Sequence, residues 1–99
     1  MSLVIFSKNY ASSIWCLDEL VMILECRKMG QTVIPVFYDV NPSDVTCQTG
    51  SYADVFDRHE KVFSEQIDKV IKWREALREA ANLAGINVNN FANGYVLLF

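Results

Sequence analysis

The chain has 99 residues, 52% of them hydrophobic, 21% charged and 12% aromatic, with a formal net charge of -3. That length holds one small domain, the composition excludes a disordered or low-complexity chain, and the negative charge removes any general attraction to nucleic-acid phosphates. A domain this small buries only about 60–65% of its unfolded surface, so its high apolar fraction points to a partner, or a further part of the fold, packed against it.

The first apolar run, residues 3–6 (LVIF), reads as a strand buried on both faces, as in a parallel sheet, and not as a signal peptide. Residues 7–13 are polar and turn-like. A helix follows over 14–29, with Ser12 or Ser13 as its N-cap, Asp18 and Glu19 early in it, and Gly30 as its stop. Residues 32–40 (TVIPVFYDV) read as a second buried strand with a local irregularity at Pro35, which lacks a ladder donor. Asn41 caps a helical turn with Pro42 at its first position, ending by Gly50.

Ser51 and Asp54 have the spacing of a capping box. Tyr52, Val55, Phe56, His59 and Phe63 then mark one helical stripe. A further helix over 66–84 turns Val70, Trp73, Leu77, Ala80 and Ala84 inward, and Gly85 ends it. Residues 86–88 form a short strand, Asn93-Gly94 a turn, and 96–99 an apolar stub. Alternating helices and buried strands specify an α/β domain with a parallel sheet. The apolar runs, such as 20–24, are far too short to cross a bilayer, so no membrane partner is expected.

Ligand sites in such sheets lie beyond the carboxyl ends of the strands, here at residues 7–19 and 39–44. Glu19 has Trp15 and Ile23 at i−4 and i+4, and Cys16 and Met22 at i−3 and i+3. All four neighbours are apolar, which describes a carboxylate set in an apolar wall one turn from an indole. Desolvation there favours the neutral acid, and the pair suits a cationic, ring-bearing substrate. On spacing alone the plainer arrangement, a solvated or paired carboxylate at the helix edge, is favoured.

The other candidates have plainer readings. Asp39 is a turn residue beside Asn41-Pro42, His59 a packed histidine, and Tyr52 and Trp73 core anchors. Lys69, Lys72, Arg74 and Arg78, interleaved with Glu75 and Glu79, form a solvated face rather than a nucleic-acid patch. Cys16, Cys26 and Cys47 include no Cys-x-x-Cys pair and His59 is the one histidine, so no metal site is expected, and reduced thiols in a cytoplasmic protein, with the nucleus as the second compartment, are the simplest reading.

Four segments, LVIFSKNYASSIWCLDEL, VIPVFYDVNPSDV, QTGSYADVFDRHE and KVIKWREALREAANLAG, together resemble the plant-type TIR (Toll/interleukin-1 receptor homology) domain of intracellular immune receptors. The resemblance runs over residues 3–94 and implies a flavodoxin-like fold, a three-layer arrangement with a five-stranded parallel sheet in the order 2-1-3-4-5. It implies NAD⁺ hydrolysis at the nicotinamide–ribose bond, of the ADP-ribosyl cyclase and cyclic ADP-ribose hydrolase type, in innate immune signalling. Glu19 falls on the family's catalytic glutamate, and Trp15 on the aromatic residue beside the nicotinamide end of the substrate. No cofactor is implied, since NAD⁺ is the substrate, and the partners implied are other TIR domains. Residue 1 falls just before the family's third strand, so residues 1–94 are expected to be the C-terminal part of such a domain, weakly active or inactive alone, with 95–99 a divergent stub. A non-catalytic TIR–TIR interaction module, or a truncated gene product, is the alternative.

Overall fold

β1 (Ser2–Phe6) and β2 (Val33–Tyr38) are built from β-branched and aromatic residues and pair in parallel, in register from Ser2 opposite Val33 to Phe6 opposite Phe37. The computed structural model describes residues 1–83 and the backbone of 86–88 and 96–98. The ladder runs through Pro35 without a break. The expected irregularity there is absent. β3 (Ile86–Val88) joins β2 in parallel, in register from Val36 opposite Ile86 to Tyr38 opposite Val88, so Pro35 lies one residue before that described pairing.

β4 (Val96–Leu98) pairs with β3 in the antiparallel sense, giving the order β1-β2-β3-β4. The sheet is therefore mixed, which corrects the all-parallel expectation. The stub at 96–99 contributes a strand, and an adjacent strand can return antiparallel through a short connection, whereas a parallel one needs a long crossover. The readings made at Ala84, Gly85 and Asn93-Gly94 lie outside the described residues.

α1 (Ile14–Lys28) starts where Ser13 Oγ accepts the Cys16 N–H at 3.3 Å, and it ends before Gly30, whose φ of +103° suits glycine alone. α2 (Pro42–Cys47) has the expected cap, with Asn41 Oδ1 accepting the Ser43 N–H at 3.0 Å. α3 (Ser51–Val62) is capped by Gly50 with no side-chain cap bond, so the Ser51–Asp54 box does not form. Ser51 is already the first helical residue, because Gly50 takes φ +60° and its backbone turns the chain into the helix. α4 (Ile67–Ala81) completes the set.

All four helices feed one core. Val4, Phe6, Val33 and Phe37 from the sheet pack with Leu17, Leu20 and Leu24, with Val45, with Tyr52 and Phe56, and with Val70, Trp73, Leu77 and Ala80. Each large side chain so buried contributes about 1.5–3 kcal/mol. Alternation along β1 then sends Leu3 and Ile5 to the opposite face, where each is 58% exposed. Among the described residues the helices cover one sheet face, so the expected strand buried on both faces, and the expected three layers, are not met within them. α1 turns Leu17, Leu20 and Leu24 inward, and its outward side mixes the apolar Trp15 and Met22 with the charged Asp18, Glu19 and Glu25.

Candidate functional site

The carboxyl ends of β1 and β2 lie side by side, and the segment from Ser7 to Ser13 crosses above them. A 3-10 turn at Tyr10–Ser12 shapes it. Several directed contacts fix it. The Tyr10 ring meets Phe6 edge-on at 4.8 Å, and its hydroxyl donates to the Cys16 carbonyl at 3.1 Å. The Tyr52 hydroxyl donates to the Ser7 carbonyl at 2.7 Å, and His59 Nε2 lies 2.8 Å from the Ala11 carbonyl oxygen. Tyr52 and His59 are buried, as the stripe spacing predicts, and both reach from α3 to backbone oxygens of this one loop.

Burial, with the Cys16 and Glu19 charges nearby, holds the Tyr10 hydroxyl well above the ordinary tyrosine range. Burial, then Tyr10, does the same to Tyr52. Lys8 pairs with Asp39 at 3.6 Å across the two strand ends, and Asp39 holds a left-handed turn conformation at φ +53°.

Glu19 and Trp15 stand one turn apart on the outward side of α1. Trp15 is 87% exposed and Glu19 is exposed. The apolar wall read from the spacing is therefore not closed around Glu19: Met22 is exposed, Cys16 and Ile23 are half-buried, and water reaches the carboxylate. Helical spacing places neighbours on one side of an element but does not say what covers that side. Among the described residues no hydrogen bond or ion pair engages Glu19; its charge is felt at the Tyr10 hydroxyl. An open, uncommitted carboxylate beside an open indole can receive a flat cation.

Its neighbour Asp18 has the opposite fate. The Trp73 indole N–H donates to Asp18 Oδ1 at 2.9 Å, and Lys69 Nζ lies 3.7 Å from Asp18 Oδ2. The Lys69 ammonium also sits 5.6 Å from the Trp73 ring centre. Lys69 thus leaves the solvated face assigned to it. So does Arg74, which is half-buried, pairs with Glu60 at 3.2 Å, donates to Gln48 Oε1 at 3.3 Å and stacks 4.7 Å over Phe56. In the sequence these contacts leave no signal beyond an apolar stripe adjoining each basic residue.

Among the described residues no group of three His, Cys, Asp or Glu side chains could hold a metal ion, and no helix is long and apolar enough to cross a membrane. Cys16, Cys26 and Cys47 are free thiols. A groove of about 530 Å³ between α1 and α4, lined by Leu24, Lys28, Lys72 and Glu75 among others, includes neither Trp15 nor Glu19. Its lining mixes both signs of charge, with Lys28, Lys72 and Arg78 beside Glu25, Glu75 and Glu79.

The family profile described as the TIR domain matches residues 1–97. The chain belongs to the TIR domain family. Similar curated proteins are plant disease-resistance proteins. The TMV resistance protein N of Nicotiana glutinosa is 52% identical over 85 residues, 85% of this chain. Disease resistance protein RPP5 of Arabidopsis thaliana is 50% identical over 96 residues, 94% of the chain. This TIR chain spans about 7% of the length of each of these two relatives. Among solved structures, the TIR domains of the activated Roq1 resistosome, which recognises the pathogen effector XopQ, superpose with a TM-score of 0.80 at 53% identity. That match covers 86% of this TIR chain and 52% of the other.

Proposed function

We propose that this TIR domain acts in plant innate immune signalling by hydrolysing NAD⁺ at the nicotinamide–ribose bond, with Glu19 as the catalytic carboxylate and Trp15 as a substrate-binding residue. The observation that carries the reading is the exposed Glu19, which has no hydrogen-bond or ion-pair partner among the described residues, one helical turn from the 87% exposed Trp15, on the helix that follows β1. Membership of the TIR family supports it, because the resemblance implies a catalytic glutamate at Glu19 with an aromatic neighbour at Trp15.

The chemistry follows from the charges. The pyridinium ring of NAD⁺ stacks on the indole face of Trp15. The bond from C1′ to the nicotinamide nitrogen breaks, and its electron pair passes to that nitrogen and cancels the ring's charge. Positive charge then develops at C1′, where the Glu19 carboxylate stabilises it and holds the ribose hydroxyls. Water adds at C1′ and releases one proton, leaving ADP-ribose and nicotinamide. NAD⁺ is consumed as substrate and no cofactor takes part.

Two features set the context. The structural relative's TIR chain is about twice the matched stretch, and Leu3 and Ile5 are exposed. We therefore place β1 in the interior of a larger, three-layer sheet, with further TIR residues against the face that carries Leu3 and Ile5. The same exposed face favours a second reading, a non-catalytic module that works by TIR–TIR contact. The free thiols fit a cytoplasmic location.

The test is nicotinamide release from NAD⁺ by the chain and by Glu19→Ala. Release that depends on Glu19 is the expected result, slow because an open site positions the substrate poorly. Equal release by both chains would remove the assignment. Co-elution with a complete TIR domain, without turnover, would select the interaction module.

A further inference from the structure

α1 presents an unusual problem of orientation. Leu17, Leu20 and Leu24 face the core, yet Trp15 and Met22 on the far side are also apolar. Hydrophobic burial is non-directional and follows the area removed from water. With large apolar side chains on its exposed side, among Asp18, Glu19 and Glu25, as well as in the core, α1 gains less from one rotation about its axis over another than a helix whose outer face is wholly polar. The position of Glu19, which faces outward, is therefore weakly specified by packing alone.

Asp18 lies on the exposed side of α1, on the flank away from Glu19 with Met22 and Trp15 between them, and both of its carboxylate oxygens are engaged from α4. Trp73 Nε1–H donates to Oδ1 at 2.9 Å and Lys69 Nζ stands 3.7 Å from Oδ2. Trp73 cannot follow α1 if α1 turns. It is 1% exposed, and its ring is held edge-on by His59 and by Phe63, each at 5.3 Å between centroids. Hydrogen bonds of this kind weaken steeply with misalignment, so this one is directional where the core is not. Lys69 also offsets the Asp18 charge, which leaves Glu19 as the uncompensated anion of the pair.

We propose that Asp18 is a positioning residue: held by Trp73 and Lys69 of α4, it sets the rotation of α1 about its axis and so aims Glu19 and Trp15. The consequence for turnover rests on the proposed hydrolase reading, but the clamp itself does not. The experiment uses the full chain and four variants: Asp18→Leu, Asp18→Asn, Lys69→Met and Trp73→Phe. Amide hydrogen exchange across α1 is read beside kcat and KM for nicotinamide release from NAD⁺.

Asp18→Leu and Trp73→Phe should speed exchange in the first half of α1 by about tenfold and leave its second half unchanged. They should lower kcat by about tenfold or more with KM within about twofold, the mark of lost aim rather than lost binding. Asp18→Asn, whose carboxamide oxygen still accepts the indole N–H, should restore most of both, and Lys69→Met should fall between. Unchanged exchange in Asp18→Leu and Trp73→Phe overturns the proposal, as does a uniform rise along the whole helix. Faster exchange confined to the first half, in a chain whose native form releases no nicotinamide, upholds the clamp and overturns the hydrolase reading.

Discussion

His59 Nε2 lies 2.8 Å from the carbonyl oxygen of Ala11, and because a carbonyl only accepts, that nitrogen carries the proton. The bond ties α3 to the loop that leads into Trp15 and Glu19. His59→Phe keeps an aromatic ring among Phe56, Phe63 and Trp73 but leaves a buried acceptor without its donor. The expected cost is about 1–3 kcal/mol in chemical denaturation. Native stability in this variant would mean that the loop is held without the histidine.

Tyr10 and Tyr52 make stability fall in alkali. Burial raises both hydroxyls above the ordinary tyrosine range in the folded chain. The unfolded chain releases these protons near about pH 10 while the folded chain keeps them. Their stabilising contribution is complete below that pH and is lost as pH rises through the folded values. Urea midpoints should hold up to about pH 10 and drop above it. Tyr52→Phe should flatten that drop, and should cost about 0.5–1.5 kcal/mol at neutral pH through the lost bond to the Ser7 carbonyl.

Trp15→Ala separates binding from folding. The side chain is 87% exposed, so its removal should leave the melting midpoint unchanged within error. Loss of an exposed cation–π contact should raise KM for NAD⁺ by about two- to fivefold. A lowered midpoint with unchanged KM would place Trp15 in the fold and not in the site.

Gly50→Ala should destabilise the junction of α2 and α3 by about 1–3 kcal/mol. Its φ is +60°, and a Cβ there would stand 2.7 Å from Asp44 Oδ2. Asp44 is held in place by the Thr49 hydroxyl at 2.7 Å, so it cannot swing away without losing that bond. Thermal melting of Gly50→Ala beside Asp44→Ala/Gly50→Ala tells the steric part from the backbone part.

Local signals in the sequence read well. The Ser13 and Asn41 caps, the stripe of Tyr52, Phe56 and His59, and the one-turn spacing of Trp15 and Glu19 all depend on neighbours within a few residues. Contacts between distant elements did not read. Asp18 and Trp73 are 55 residues apart, and Gln48 lies 26 from Arg74, its partner across the α2–α4 contact. Helical spacing gave Lys69 and Arg74 to solvent because it counts polarity around one helix, whereas their stems run over the Trp73 and Phe56 rings of the core. The exposure of Glu19 agrees with the plainer reading of its spacing, a solvated carboxylate at the helix edge; the apolar wall fails because its four apolar neighbours line one helix, and nothing in a single helix says what lies opposite.

The two tryptophans occupy opposite extremes, Trp15 at 87% exposure and Trp73 at 1%. That difference in solvent contact should separate their light emission. Trp15 should emit toward the red and be open to a dissolved quencher such as iodide, while Trp73 should emit toward the blue and be shielded from it. The native chain thus carries one optical channel on the outer face of α1 and another in its core, and the two can be followed in one cuvette without any label.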